Sequence, residues 1–195
     1  MSPWKGALIA LAAALVGLVS ALFVIGPGVL LRTEPGQWLF ERAVPRKYES
    51  HSGQTGIGQP IAPFEVRNFQ NQTQQLPKPG RWQVINYWAS WCGPCRIEMP
   101  WLNAAHLSSQ GRFEVIGIAL EAREDAKTLL NEIPVSFAQH HEPPGAEDSS
   151  VQLGNAWGVL PFTVLIDPKG RLVKRHIGNF RDMQALNDWI VKGMD

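Results

Sequence analysis

The sequence predicts a mixed α/β fold in which a central sheet carries helices on both faces. Apolar runs typical of buried strands alternate with helical patterns, and a hairpin precedes the last helix. Of the 195 residues, 45% are hydrophobic and 18% are charged, which is ordinary for a globular protein. A net charge of +1 argues against nucleic acid as a partner.

The first predicted element is a transmembrane helix. Residues Gly6 to Leu31 contain no charged side chain, and about 20 apolar residues suffice to cross a bilayer. A cleavable signal peptide is the alternative, because Val19-Ser20-Ala21 fits a small-x-small cleavage site. Cleavage there would leave the apolar stretch 22–31 at the mature N-terminus, so we favour an uncleaved anchor over residues 1–32. Basic residues are more frequent after the anchor than before it, and this count would place the C-terminal domain on the cytoplasmic side. Large domains are nevertheless translocated despite such charges.

Residues 33–56 are predicted to form a juxtamembrane connector, because glycine, proline and polar residues are frequent there. Within it, Trp38-Leu39-Phe40 lies at the membrane interface or forms a short helix against the domain. Residues 57–195 are predicted to form the folded domain. Its strands are predicted at Phe64–Phe69, Gln83–Ala89, Phe113–Leu120, Val135–Gln139, Phe162–Asp167 and Arg171–His176, with 70–80 as a polar turn region. Its helices are predicted after Cys92 and at Glu121–Ile133, Ser149–Trp157 and Phe180–Val191.

The only two cysteines of the chain, Cys92 and Cys95, lie at the start of the helix that is predicted after the second strand. Pro94 is acceptable in a first helical turn, so Cys92 is predicted at the helix N-terminus, where free N–H groups and the helix dipole stabilise a thiolate. This makes Cys92 the attacking sulfur, and Cys95 is placed one turn later to resolve a mixed disulfide. The apolar positions of this helix are Ile97, Met99, Leu102 and Leu107, and Pro100 predicts a kink.

A Cys-x-x-Cys pair also occurs in haem and metal sites, which need further ligands. A c-type haem site requires histidine after the second cysteine, where this chain has Arg96. A structural zinc site requires two more ligands, and no histidine pair has ligand spacing; the histidines are His51, His106, His140, His141 and His176. We therefore expect no metal and no cofactor, while a Cu(I) metallochaperone that uses both thiolates stays open as an alternative.

Three motifs occur in order along the domain: Trp88-Ala89-Ser90-Trp91-Cys92-Gly93-Pro94-Cys95, then Glu98-Met99-Pro100, then 158–167 with the sequence GVLPFTVLID. On these residues, the chain resembles the thioredoxin superfamily and, within it, the membrane-anchored TlpA/ResA/DsbE-like thiol-disulfide oxidoreductases. The resemblance implies a thioredoxin fold with an N-terminal membrane anchor.

The resemblance also implies roles for residues around the cysteines. Pro161 is similar to the family's cis-proline, which faces the disulfide and lets the backbone of Leu160 meet an extended substrate segment. A trans proline at a strand entrance is the alternative. Trp91, Gly93 and Pro94 are expected to contact the substrate beside the cysteines. Trp88 contributes to the same apolar platform or packs in the core.

Glu98 resembles the carboxylate that these families place one helical turn beyond the second cysteine. It would accept the proton of Cys95 and have a raised pKa if it is shielded, whereas a solvated surface residue is the alternative. Cytosolic thioredoxins carry a buried aspartate where this chain has Asn86. Glu98 or a water molecule would therefore have to serve as the proton acceptor.

The function implied is reduction of disulfides in oxidised client proteins that carry a cysteine pair. The Gly-Pro dipeptide between the cysteines is typical of reducing proteins. The implied setting is the bacterial inner membrane, with a single-pass anchor, the domain in the periplasm and a membrane thiol-disulfide electron donor. Cytochrome c maturation and copper-site assembly are the implied client pathways, and an oxidase or isomerase of the same fold is the alternative. The loop Glu142 to Ser150 is predicted near the active site, where it selects clients.

Overall fold

The computed structural model describes residues 54–194, so the predicted anchor and nearly all of the predicted connector lie outside the described residues. Within 54–194, none of the helices combines the length and apolar character needed to cross a bilayer.

The described chain alternates strands and helices, as the sequence predicts. The strands are β1 (Phe64–Asn68), β2 (Thr73–Leu76), β3 (Trp82–Trp88), β4 (Phe113–Leu120), β5 (Ala138–Glu142), β6 (Phe162–Ile166) and β7 (Leu172–Ile177). The helices are α1 (Gly93–Ser108), α2 (Arg123–Glu132), α3 (Ser149–Gln152) and α4 (Met183–Val191). A short connection joins β3 to α1, and this connection carries the first cysteine of the pair.

All seven strands form one mixed sheet in the order β2-β1-β5-β4-β3-β6-β7. β3 pairs in parallel with β4 and antiparallel with β6, and β4 pairs in parallel with β5. β3 and β4 are buried along almost their whole length, because they lie inside the sheet and are covered on both faces. The sheet therefore holds the C-terminal end of β3, and with it the start of α1, at a fixed place above the core.

Helices lie on both faces of this sheet. Successive side chains of β3 point to opposite faces. The face that includes Val84 packs against α1 and α4, and α2 packs beside Trp88 on the same side. The opposite face, with Ile85 and Tyr87, packs against β2 and against Leu153 at the end of α3. The predicted mixed α/β fold is confirmed.

Several element predictions were wrong in detail. The polar stretch 70–80 contains β2, an edge strand that pairs with β1 and in which only Leu76 is buried. β5 begins three residues later than predicted, since its pairing with β4 starts at Ala138. Its two adjacent histidines interrupt the alternation of apolar and polar residues that would identify a strand. The predicted helix Ser149–Trp157 ends at Gln152, because Gly154 adopts a positive φ of 106°.

Helix α1 fits its predicted pattern only in part. Met99 and Leu102 are fully buried, but Ile97 and Leu107 are 59% and 64% exposed, so their assignment to the apolar face was wrong. α1 continues past Pro100 to Ser108 without interruption.

Candidate active site

The cysteine pair lies at the N-terminus of α1 and forms a disulfide. Cys92 is the N-cap residue, and its Sγ accepts a hydrogen bond from the backbone N–H of Cys95 at 3.2 Å. The two Cα atoms are 5.3 Å apart. Cys92 and Cys95 are only 4% and 1% exposed, and Pro94 occupies the first turn as predicted. A thiolate on Cys92 would therefore have a backbone donor and the positive end of the helix dipole beside it.

The surface around the disulfide contains the residues predicted to contact substrate. Trp91 is 71% exposed and Gly93 is exposed. Leu160 packs against the apolar cluster that includes both cysteines, and the Leu160–Pro161 peptide bond is cis, as the resemblance implies. The structure thus brings Trp91, Gly93, Pro94 and Leu160 together around the cysteine pair.

Asn155 holds the segment that leads to Leu160. Its Oδ1 accepts a hydrogen bond from the Val159 N–H at 2.9 Å, and its Nδ2 donates to the Val159 carbonyl at 3.1 Å. Asn155 is 1% exposed. This residue was not predicted from the sequence, although an asparagine before a glycine-containing turn is a local signal, because its side chain can replace backbone partners there.

Glu98 is fully buried on α1, one turn beyond Cys95. Neither of its carboxylate oxygens has a hydrogen-bond partner among the described residues, so the charged form is poorly solvated. Burial raises the pKa of Glu98 to about 8. The alternative of a solvated surface residue is wrong, and the carboxyl group is present as a neutral acid over most of the physiological range.

Asn86 cannot take a proton in place of Glu98. It is 1% exposed, and its Nδ2 donates to the hydroxyl of Thr163 at 3.0 Å. The amide is neutral at all pH values relevant to proteins, so Asn86 contributes a dipole and no titrating group. Glu98 is therefore the buried titratable carboxyl that α1 places one turn from Cys95.

A second buried carboxylate, which was not predicted from the sequence, holds the turn before Cys92. Ser90 donates to Glu121 twice, from its backbone N–H at 2.6 Å and from its hydroxyl at 2.7 Å. Glu121 directly follows β4 and is 7% exposed. The only sequence signal was a charged residue at the end of an apolar strand, which is equally typical of a solvated loop.

A groove of about 650 Å³ opens beside the disulfide. Trp91, Leu160 and residues 144–148 of the predicted client-selecting loop all line it. Glu142 and Asp148 hold the two ends of this loop: Glu142 accepts from the N–H of Ser149, and Asp148 caps α3. Burial raises the pKa of Glu142 to about 7. The loop is therefore at the active-site side, as predicted.

The fold and the site together define a class of protein. A seven-stranded mixed sheet presents a Cys-x-x-Cys disulfide at a helix N-terminus, and the residue before a cis-proline packs against the same apolar cluster, as in thioredoxin-like domains. Residues 57–175 match the AhpC/TSA family, and the chain belongs to that family.

Comparisons with individual proteins agree with this assignment. The chain is 35% identical over 127 residues to a thiol:disulfide interchange protein DsbE homologue of Paracoccus denitrificans, a match that covers 63% of each chain. It is 30% identical over 128 residues to the thiol-disulfide oxidoreductase ResA of Bacillus anthracis, covering 63% of this chain and 70% of that protein. The match therefore spans less than two thirds of the Paracoccus relative's length.

Among solved structures, the chain resembles a protein from Chlorobium tepidum that is described as a DsbE-type thiol:disulfide interchange protein. The TM-score is 0.64 at 26% identity, and the match covers 73% of this chain and 100% of that one.

Proposed function

We propose that this protein is a thiol-disulfide oxidoreductase that reduces disulfides in oxidised client proteins. The observation that carries this proposal is the buried Cys92–Cys95 pair, whose first sulfur caps α1 beside an accessible apolar surface. The names of the Paracoccus and Bacillus relatives support it.

The reaction begins with the reduced pair. The Cys92 thiolate attacks one sulfur of the client disulfide, forming a mixed disulfide and releasing the other client sulfur as a thiolate that takes up a proton. Cys95 then loses its proton and attacks the Cys92 sulfur. This step forms the Cys92–Cys95 disulfide and releases the second client thiol, so two electrons pass from the pair to the client.

Glu98 has the placement needed to receive the proton of Cys95 in the second step. It lies one helical turn away and is shielded from water. Only the ionised fraction of Glu98, which grows as the pH rises towards 8, accepts this proton, and that carboxylate is a much stronger base than an exposed one because its pKa is raised to about 8. Pro161 and Leu160 stand opposite, where the Leu160 backbone meets the client segment.

The setting of the reaction follows from the predicted anchor and from the family resemblance. We place the domain in the periplasm, tethered to the inner membrane by residues 1–32 and fed with electrons by a membrane thiol-disulfide conduit. Cytochrome c maturation and copper-site assembly are the client pathways that this resemblance implies. A donor in the membrane would regenerate the dithiol after each turnover.

The redox equilibrium of the Cys92/Cys95 pair tests the direction of electron flow. We expect the full-length protein, equilibrated with a dithiothreitol or glutathione series, to give a potential near that of thioredoxin, about −270 mV. A value near that of a strong oxidant such as DsbA, about −120 mV, would instead make the protein an oxidase or isomerase.

The groove beside the disulfide is proposed to hold the client segment, and its acidic rim predicts a preference for basic segments. Glu147 is exposed on the lining loop. The charge reversal Glu147→Lys is expected to raise KM for a disulfide peptide flanked by lysines about fivefold, with kcat unchanged, since one exposed charge pair is worth about 1 kcal/mol.

The matched control is Glu65→Lys, which reverses an exposed charge on β1 outside the groove. We expect this variant to leave KM unchanged. Equal KM values for both variants and the wild type would rule out client selection by the loop.

A further inference from the structure

The turn between β3 and α1 is tied to the end of β4 by a contact that the mechanism above does not use. The turn runs from Ala89 to Cys92 and is closed by the hydrogen bond that the Cys92 N–H donates to the Ala89 carbonyl at 3.1 Å. Ser90 lies inside it, and both of its donors point to the Glu121 carboxylate, at 2.6 Å and 2.7 Å. The turn is thus fixed from within and from the neighbouring strand.

The contact between Ser90 and Glu121 has the features of a strong one. Hydrogen bonds to a carboxylate are shorter and about twice as strong as those between neutral groups. Glu121 is 7% exposed, so water competes little for its oxygens. One bond goes to each of the two oxygens, which fixes both the position and the rotation of Ser90 relative to β4.

We propose that Glu121 is a positioning residue for thiol-disulfide exchange, acting through Ser90 on Cys92 and Trp91. The inference rests on the proposed function. Cys92 ends the turn, and its sulfur meets the Cys95 N–H only if the turn keeps its shape. Trp91, the residue between Ser90 and Cys92, stands at the rim of the groove. Glu121 therefore fixes the position of the attacking Cys92 sulfur and of the Trp91 ring, against which a client disulfide is placed.

The test compares variants on both sides of the contact in the full-length protein. The reduced protein is mixed with oxidised glutathione, and the rate of mixed-disulfide formation is measured. Glu121→Ala is expected to slow this step about tenfold, because misplacing a reacting atom by even 1 Å is costly. Ser90→Ala should slow it less, since the backbone N–H bond remains. Glu121→Gln, which keeps one acceptor, should restore part of the rate.

The double variant Glu121→Ala/Ser90→Ala is expected to be no slower than Glu121→Ala alone, because both changes remove the same contact. The equilibrium constant with glutathione should move in the Glu121 variants as well, which a loss of stability shared equally by the oxidised and reduced forms would not cause. If Glu121→Ala does not fold, Glu121→Gln and Ser90→Ala carry the test.

Glu124→Ala is the control, because Glu124 is an exposed carboxylate near the start of α2 that pairs with Arg123 rather than with the turn. Its rate should equal that of the wild type. A wild-type protein that does not react with oxidised glutathione would contradict the proposed function. A reactive wild type with unchanged Glu121→Gln and Ser90→Ala variants, or with fully additive effects in the double variant, would overturn the positioning role.

Discussion

Cys95→Ser is expected to trap client proteins in a mixed disulfide with Cys92, whereas Cys92→Ser should trap none. Cys92 caps α1 and accepts the Cys95 N–H, so it is the sulfur that is stabilised as a thiolate and that attacks first. Without Cys95, nothing within the site displaces the client from Cys92. Both variants should lose catalytic turnover by at least about a thousandfold, since the covalent route has no substitute.

The measurement is non-reducing electrophoresis of the purified variants after incubation with an oxidised client, followed by reduction of the trapped species. A Cu(I) metallochaperone would behave differently, because both thiolates would serve equally as ligands. Stoichiometric Cu(I) retention that both serine variants abolish alike, with no trapped client in either, would favour the chaperone over the oxidoreductase. The double variant Cys92→Ser/Cys95→Ser is the control and should trap nothing.

The motif around the cysteines could be predicted from the sequence because each part has a local cause. A proline in a first turn, a cysteine at an N-cap and an apolar strand before them depend on neighbouring residues alone. β2 and β5 could not be predicted correctly in this way, since both are polar and their hydrogen bonds come from partner strands distant in sequence. Their strand character arises from pairing rather than from propensity.

The same distinction applies to the candidate site. Glu98 was found because it lies one turn from Cys95 within a motif, but its complete burial was not predicted. Glu121 was missed because its partner Ser90 is distant in sequence, whereas Asn155 lies four residues from its partner Val159 and had a local signal. Glu121 is 31 residues from Ser90, and no periodicity connects a strand end to a turn at that separation.

Glu98→Gln is expected to stabilise the oxidised protein at neutral pH. The folded protein raises the pKa of Glu98 to about 8 from 4.5, so it retains a proton that the unfolded chain releases above pH 4.5. The contribution of Glu98 to stability is therefore full below pH 4.5 and is lost as the pH rises towards 8. At pH 7 this loss is about 3 kcal/mol, from 1.36 kcal/mol for each pH unit above 4.5.

Denaturant unfolding of the oxidised wild type and of Glu98→Gln between pH 5 and pH 8 measures this effect. The difference between the two curves is the relevant quantity, because other buried groups titrate in the same range. Burial lowers the pKa of His140 to about 4, which makes stability rise with pH, and Glu142 acts in the opposite direction. Glu65→Gln, a change at an exposed carboxylate, is the control and should follow the wild type.

Activity should change in the opposite direction to stability. Glutamine cannot accept the proton of Cys95, so resolution of the mixed disulfide by Glu98→Gln is expected to slow by about a hundredfold, within the range for loss of a general base. Formation of the mixed disulfide by Cys92 should be nearly unchanged, and the variant should accumulate it. A variant that gains stability and resolves at the wild-type rate would show that Glu98 is buried without taking part in proton transfer. A variant that resolves slowly but gains no stability would show that the folded protein keeps Glu98 ionised.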